Sequence, residues 1–532
     1  MAERIYDTII VGGGIAGLTS AAYLSKKGQE VLLIEKNKVC GGLVNSFSRN
    51  GFHFEAGVRA LEDAGIIFPM LKELGITLEV VKSPVSVGIE NEIIHIKDKG
   101  SLKDYQALLV KFYPDSKGDI ENLIRVIRKI MRSMDVLYGL ENPMIKDIWK
   151  DKKFIFQKLL PWLPKFIWTI RKINRLKMPV EEYLENIVRD ASLRDIISQH
   201  FFKNTPTFFA LSYFSLYLDY FYPKGGVGKL AEAVESKLVE LGGEIKRETS
   251  ILEVKAGERM LFDQENYGYK YKNLIWAADL KTFYSITDTR GFSEKIRTKF
   301  EAVKTQMLEQ RGGDSVYTLY LQVDEPLDSF RSIAHGHFFY TPLKTGLGET
   351  HRGELKQLLD HWDAITKEQL FKWVEKLTRL NTYEISIPGL KDPQLAPGGQ
   401  TGLIISFLTE YVLFQKVQEA GWYEEFISVL EAQVVKVLSQ AVYPMLKDKI
   451  LKGFSFTPLS IKNRVGSSEG AITGWSFQNS VPVINEMQKA GRSVLTPIPS
   501  IFQAGQWAYS PAGVPMSILT AKLAADKILR RN

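Results

Sequence analysis

The chain has 532 residues, 45% hydrophobic and 24% charged, without a low-complexity tract, so a globular protein of two or three domains is expected. Its one cysteine, Cys40, excludes an intramolecular disulfide and any cysteine cluster and fits a reducing compartment; the seven histidines lack ligand spacing, so no metal is expected. The net charge of +8 is carried by residues 150–177, where Lys150, Lys152, Lys153, Lys158, Lys165, Arg171, Lys172, Arg175 and Lys177 face a single acid, Asp151, an amphipathic patch that fits an anionic membrane surface better than nucleic acid.

At the N-terminus a short apolar strand, Thr8–Val11, runs into Gly12-x-Gly14-x-x-Gly17, then a helix, then Gly28 and a second strand ending at Glu35. Gly12 permits the tight turn, Gly14 lets the backbone approach a pyrophosphate, and Gly17 lets the helix pack on the strand. The helix N-terminus, opened by Ile15 and Ala16, offers free N–H groups to phosphates. Glu35, followed by Lys36, is placed to accept both hydroxyl hydrogens of an adenosine ribose, which argues against a 2′-phosphate. No secretory leader is read here, and no stretch approaches the ~18–20 apolar residues of a membrane span.

The next stretch, "CGGLVNSFSRNGFHFEAG" (40–57), brings a second glycine pair, Gly41-Gly42, and an Asn50-Gly51 hairpin signal. It resembles the second fingerprint of the FAD-binding glutathione-reductase-type superfamily, with Leu43 where arginine is usual. Residues 58–221 and 291–451 carry helical patterns interrupted by strands and no second dinucleotide fingerprint, so electrons are expected to come or go without a nicotinamide site. Within them, "FQKLLPWLPKFIWTIRKINRLK" (156–177) reads as an interfacial element: Trp162 and Trp168 at headgroup level, Lys158, Lys165, Arg171 and Lys172 toward lipid phosphates, and Pro161 and Pro164 breaking any regular buried face. A protein-partner surface is the alternative. "FFALSYFSLYLDYFY" (208–222) holds eight aromatics in fifteen residues. Phe208, Phe209, Tyr213, Phe214 and Tyr217 are core, or the wall of an apolar channel suited to a conjugated chain.

"KGGVGKLAE" (224–232) mimics a phosphate loop, but Pro223 and Leu230 stand where Gly and Ser/Thr are required, and the apolar spacing is that of an amphipathic helix ended by Gly242-Gly243. At the C-terminal end a strand runs into Gly505, a loop and a helix entered through Ala512-Gly513-Val514-Pro515, whose dipole suits the charge that reduction places on a flavin ring.

Three stretches, "YPKGGVGKLAEAVESKLVELGGEIKRETSILEV" (222–254), "SSEGAITGWSF" (467–477) and "AGQWAYSPAGVPMS" (504–517), resemble the phytoene desaturase-type flavoproteins, which include carotenoid desaturases, carotenoid cis–trans isomerases and retinol saturases. The resemblance implies an α/β fold: a Rossmann-like FAD-binding domain of the glutathione-reductase type (1–57, 222–290, 452–532), a discontinuous α+β substrate domain (58–221, 291–451), and a membrane-associating helical insertion (150–177). It places Val254 beside the adenine, Gly505 and Gln506 beside the phosphates and ribityl chain, and Val514 and Met516 against the flavin, with Gly513 and Pro515 forming the helix entry. It also implies hydride exchange at flavin N5 with a membrane-dissolved polyene or isoprenoid, as desaturation, saturation or isomerisation, in a protein peripheral to the cytoplasmic face of the inner membrane. Glu55 and Asp279 are the acid–base candidates, and each also reads as a structural carboxylate at a strand end. The rivals are a flavin amine oxidase and a non-catalytic flavin-binding membrane adaptor. Oligomeric state is not readable.

Overall fold

The computed structural model describes residues 4–140, 142–145 and 151–531; Lys150, counted in the basic segment, lies outside them. The fold is mixed α/β, built on two large sheets. In the first, Glu244–Lys246, Val31–Ile34, Ile5–Val11, Gly268–Trp276 and Ile501–Gln503 run parallel. The apolar runs of these strands need burial on both faces: the helices Ile15–Ser25, Gly228–Glu240 and Val514–Leu529 cover Ile10, Leu33 and Ile275, and Leu280, Phe283, Tyr284 and Phe300 pack on the face of Ile9, Val11, Leu32 and Ile34. Gly268–Trp276 gives its far edge first to the antiparallel strand Met260–Asp263 and then to Ile501–Gln503, so the C-terminal segment enters beside the glycine turn.

The second sheet orders Ile450–Phe456, Ser315–Val323, Thr401–Thr409, Tyr383–Ser386, His337–Thr341, Val85–Ile89 and Glu92–Ile96, antiparallel except where His337–Thr341 meets Val85–Ile89. The strand Ile450–Phe456 straddles position 452, where the sequence suggested a boundary. Side chains alternate along these strands. One face, with Tyr317, Leu319, Leu321, Phe338, Tyr340, Ile385, Leu403 and Ile405, packs on the helices Lys367–Leu380 and Tyr423–Ala441. The other face carries Thr318, Tyr320, His337, Glu384, Ser386 and Ser406 and looks toward the hairpin Ser46–Arg49/Phe52–Glu55 of the nucleotide end.

Residues 152–173 form one continuous helical run: Lys152–Phe154, a π-turn at Ile155–Leu159, then Leu160–Ile173. The two prolines do not break it. Pro161 sits at the first turn after the π-turn, where a missing N–H costs little, and Pro164 follows three residues later. The run lies on the long helix Lys117–Tyr138, with Trp162 Nε1 donating to the Val136 carbonyl at 2.6 Å and stacking on Phe166. Among the described residues, no helix is long and apolar enough to cross a membrane.

Candidate functional site

The site begins at the C-terminal end of Ile5–Val11. Gly12 has φ +105°, and a Cβ there would meet the Ala277 carbonyl at 2.9 Å. A Cβ on Gly17 would sit 1.8 Å from the Gly12 oxygen, whereas one on Gly14 meets nothing within 4 Å. Gly14 is therefore open space in a crowded turn. Gly41 donates to the Gly13 carbonyl at 2.8 Å, and Gly42 lies against the Gly14 Cα, so both glycine pairs share one cradle. Leu43 continues it: its carbonyl accepts from Val58 N at 3.1 Å and stands where a side chain on Gly57 would be.

Two helices end here without capping side chains. Ile15–Ser25 starts at Gly14 and Val514–Leu529 at Gly513, neither with a side-chain cap, and the two pack together, Ser20 Oγ donating to the Ala521 carbonyl. Orphan N–H groups and a positive dipole end therefore stand at each start, with Ile15 and Ala16 opening the first helix and Pro515 and the half-buried Val514 and Met516 the second. Gly505 (φ +93°) has its N–H held by Thr520 Oγ1 at 2.9 Å, and Gln506 Nε2 lies 3.5 Å from Ser467 Oγ. Glu35 Oε2 accepts from Gly13 N at 2.7 Å, and Oε1 from Asn37 N and Nδ2 at 2.9 and 2.7 Å. Three of a carboxylate's four or so acceptor positions are thus used, leaving room for one ribose hydroxyl where two were expected. Lys36 donates to the Asn463 carbonyl at 3.1 Å. Val254 is fully buried, its side chain in the apolar core between Met260–Asp263 and Thr287–Asp288, so any adenine contact falls to its backbone.

The two acid–base candidates separate. Asp279 caps the helix Leu280–Ile286, accepting from Thr282 N at 2.8 Å and Ser468 N at 2.8 Å, which accounts for both oxygens. Glu55 is fully buried in a polar knot: it accepts from Tyr222 and, at 3.3 Å, from Ser386 Oγ, while Arg59 Nη1 donates to its carbonyl at 2.6 Å. Lys391 Nζ bridges Ser386 Oγ and the Arg59 carbonyl, both at 2.7 Å, and burial pushes its ammonium down to about 8.

Beyond this knot lies interior space. Tyr138, Tyr213, Tyr220, Glu62 and Glu384 keep accessible surface although burial dominates their surroundings; it raises the phenols and pushes Glu62 up to about 7. Part of this space is an apolar cavity of about 60 Å³ lined by Tyr213, Phe214, Tyr217, Phe339, Thr341 and Thr382 among others. Phe208 and Phe209 do not line it: their helix Thr207–Leu211 turns Ala210 and Leu211 to the cavity instead. On the outside, Phe156, Leu160, Leu163 and Ile167 form an exposed stripe at helical spacing, with Trp168 61% exposed and Lys172 Nζ 3.3 Å from its ring centre. Lys158, Lys165 and Arg171 are exposed. Trp162 is turned inward, against the headgroup role expected of it, because its indole N–H finds the Val136 carbonyl.

The cradle, the uncapped helix ends and Glu35 define a dinucleotide-binding oxidoreductase. The chain belongs to the flavin containing amine oxidoreductase family, whose model matches residues 15–529. It is 21% identical over 541 residues to an all-trans-retinol 13,14-reductase of Danio rerio (94% of this chain, 82% of that one). It is 24% identical to prolycopene isomerase 1, chloroplastic, of an Oncidium hybrid cultivar (87% and 74%), and 22% identical to a 4,4'-diapolycopene oxygenase of Methylomonas sp (98% and 97%). These relatives are of the phytoene desaturase type that the sequence resembles. Among solved structures, a variant of putrescine oxidase matches the fold over 100% of both chains at TM-score 0.62 and 14% identity, and a Methanosarcina mazei oxidoreductase over 98% and 99% at TM-score 0.59 and 14% identity. The protein is an FAD-dependent oxidoreductase, and the residues of the cradle fit FAD: open space over Gly14, free N–H groups at two helix ends, and an acceptor left on Glu35.

Proposed function

We propose that the protein exchanges hydride between FAD and a carbon of a membrane-dissolved polyene or isoprenoid, desaturating, saturating or isomerising it. The FAD-binding part is assigned to 1–57, 222–290 and 452–532 and the substrate part to 58–221 and 291–451. Bound FAD supplies the redox chemistry; the chain's residues bind, orient and exclude water. The observation that carries the reading is the tyrosine- and phenylalanine-lined interior cavity, whose flat rings suit a conjugated chain. At about 60 Å³ the cavity holds only a handful of waters, so an extended substrate requires lining rings such as Tyr213 to swing aside. The names of the relatives support the same class of substrate.

The amphipathic run Lys152–Ile173 is assigned to an anionic membrane surface, with Trp168 and the Phe156–Ile167 stripe in the lipid and Lys158, Lys165, Arg171 and Lys172 at the phosphates. It packs on the helix Lys117–Tyr138, whose Ile127 lines the apolar cavity.

Amine oxidation is the second reading, favoured by the carboxylates Glu62 and Glu384 in the interior. The test is anaerobic mixing of FAD-loaded protein, oxidised and reduced, with a panel of polyenes and of primary and secondary amines, following flavin absorbance and analysing products. Conversion of a polyene supports the proposal. Bleaching by amines alone replaces it with the rival, and no reaction with either leaves a flavin-binding adaptor.

A further inference from the structure

Resting on the polyene reading, we infer that the Glu384 carboxylate is the group that takes or gives the proton accompanying hydride transfer, and that His337 positions it. The argument is one of register. Along Tyr383–Ser386 and the residue before it, positions 382, 384 and 386 share a face. Thr382 lines the apolar cavity, and Ser386 Oγ touches Glu55, two residues before Gly57, which packs against Leu43 of the cofactor cradle. Glu384 stands between these two positions on the same strand face.

Its side chain is 34% accessible, and its neighbours on that face, Thr382 along the strand and Phe339 across the pairing, line the cavity. Oε1 accepts from His337 Nε2 at 2.9 Å, and no partner within the described residues is bonded to Oε2. His337 is 2% exposed, clamped flat under Tyr220 at 5.2 Å between ring centres, and strand pairing sets Phe339, two residues on, opposite Glu384. Its Nδ1 has no partner, so the ring is the neutral form that donates from Nε2. Burial favours that neutral form. Burial also pushes Glu384 up, while the His337 hydrogen bond and the nearby Arg59 and Lys391 charges push it down. Glu62, Tyr213, Tyr217 and Tyr220 face the same space from the opposing elements.

In the dehydrogenating direction a substrate C–H bond breaks and its proton passes to Glu384 Oε2, forming O–H. The electron pair left behind would form the C=C bond, with bound FAD supplying the two-electron acceptor for the hydride leaving the neighbouring carbon. Saturation would be the reverse, with the proton leaving Glu384 Oε2 and the cofactor supplying the two electrons. A half-buried carboxylate with one oxygen left unbonded among the described residues is costly to keep, and proton transfer gives it a use.

The test uses full-length, FAD-loaded protein and the polyene that wild type converts. Glu384→Gln is expected to slow the single-turnover step at least ~100-fold and to remove the limb of the pH profile that the carboxyl sets, acid for dehydrogenation and alkaline for saturation, with FAD content and polyene affinity held within about threefold. His337→Leu is expected to move that limb to higher pH, since the ionised form loses its donor, and His337→Gln to restore it. Ring-¹⁵N NMR of histidine-labelled protein reads the pair without turnover: His337 is expected as the Nε2–H tautomer, lost in Glu384→Ala. A Glu384→Gln enzyme as fast as wild type, or a His337 signal indifferent to Glu384→Ala, overturns this inference and spares the polyene reading. A wild type that converts no polyene overturns both.

Discussion

Two glycines three residues apart, Gly14 and Gly17, make opposite demands and can be tested against each other. An alanine methyl at Gly17 would sit 1.8 Å from the Gly12 oxygen, so the helix must move off the strand. Overpacking of this kind costs about 1–3 kcal/mol. At Gly14 the backbone is ordinary, φ −69° and ψ 177°, and a Cβ meets nothing within 4 Å, so the loss is that of replacing an N-cap glycine, about 0.5 kcal/mol. A pyrophosphate packed over Gly14 changes the balance. The methyl then stands between backbone and ligand, and 1–3 kcal/mol of overpacking becomes a roughly 5- to 150-fold weaker FAD affinity. Urea midpoints of the apoproteins, with FAD titrations followed by flavin fluorescence, separate the two. Gly17→Ala should lose stability without FAD, and Gly14→Ala should lose FAD affinity while its apoprotein stays near wild type. Wild-type FAD affinity in Gly14→Ala would refute a cofactor lying over that turn.

Other substitutions probe other parts. The two tryptophans of the amphipathic run should behave oppositely: Trp162→Phe removes the hydrogen bond to Val136 and costs about 1 kcal/mol of stability, while Trp168→Ala leaves stability unchanged and weakens flotation with anionic vesicles. Reversing Lys158, Lys165, Arg171 and Lys172 to Glu should abolish flotation, since each contributes on the order of 1 kcal/mol at an anionic surface. Lys391, held near 8 in the fold against an ordinary 10.5, binds its proton more weakly folded than unfolded. Stability should therefore rise by up to roughly 3 kcal/mol as pH goes from below 8 to above 10.5, and that slope should be missing in Lys391→Met. Cys40, its thiol pushed up to about 12 by burial, should resist maleimide at neutral pH until the protein unfolds.

The cofactor cradle was legible because backbone geometry dictates its residues locally. Only glycine tolerates the φ of Gly12 and the closeness of Gly17 to the turn, so spacing alone carries the site. The basic-aromatic run was legible as amphipathic, but its prolines and Trp162 were misread. Which way an indole points depends on a carbonyl of the helix Lys117–Tyr138, some 26 positions away, and a π-turn absorbs the proline problem without a break. In the aromatic run, Phe208 and Phe209 look equivalent in sequence to the cavity-lining Tyr213, Phe214 and Tyr217, but their helix Thr207–Leu211 turns Ala210 and Leu211 to the cavity and leaves them out. His337 and Glu384 gave no signal. They are 47 positions apart, on strands of ordinary composition, and only the antiparallel register that sets Phe339 opposite Glu384 brings them together.

The most direct measurement is a crystal structure of the FAD-loaded protein soaked with a polyene that it converts. The account predicts a chain threaded between Tyr217 and Phe339, with a reacting carbon within reach of Glu384 and of the ring over Val514 and Met516. A polyene found only on the outer stripe of Phe156, Leu160, Leu163 and Ile167, with the interior rings undisturbed, would contradict it.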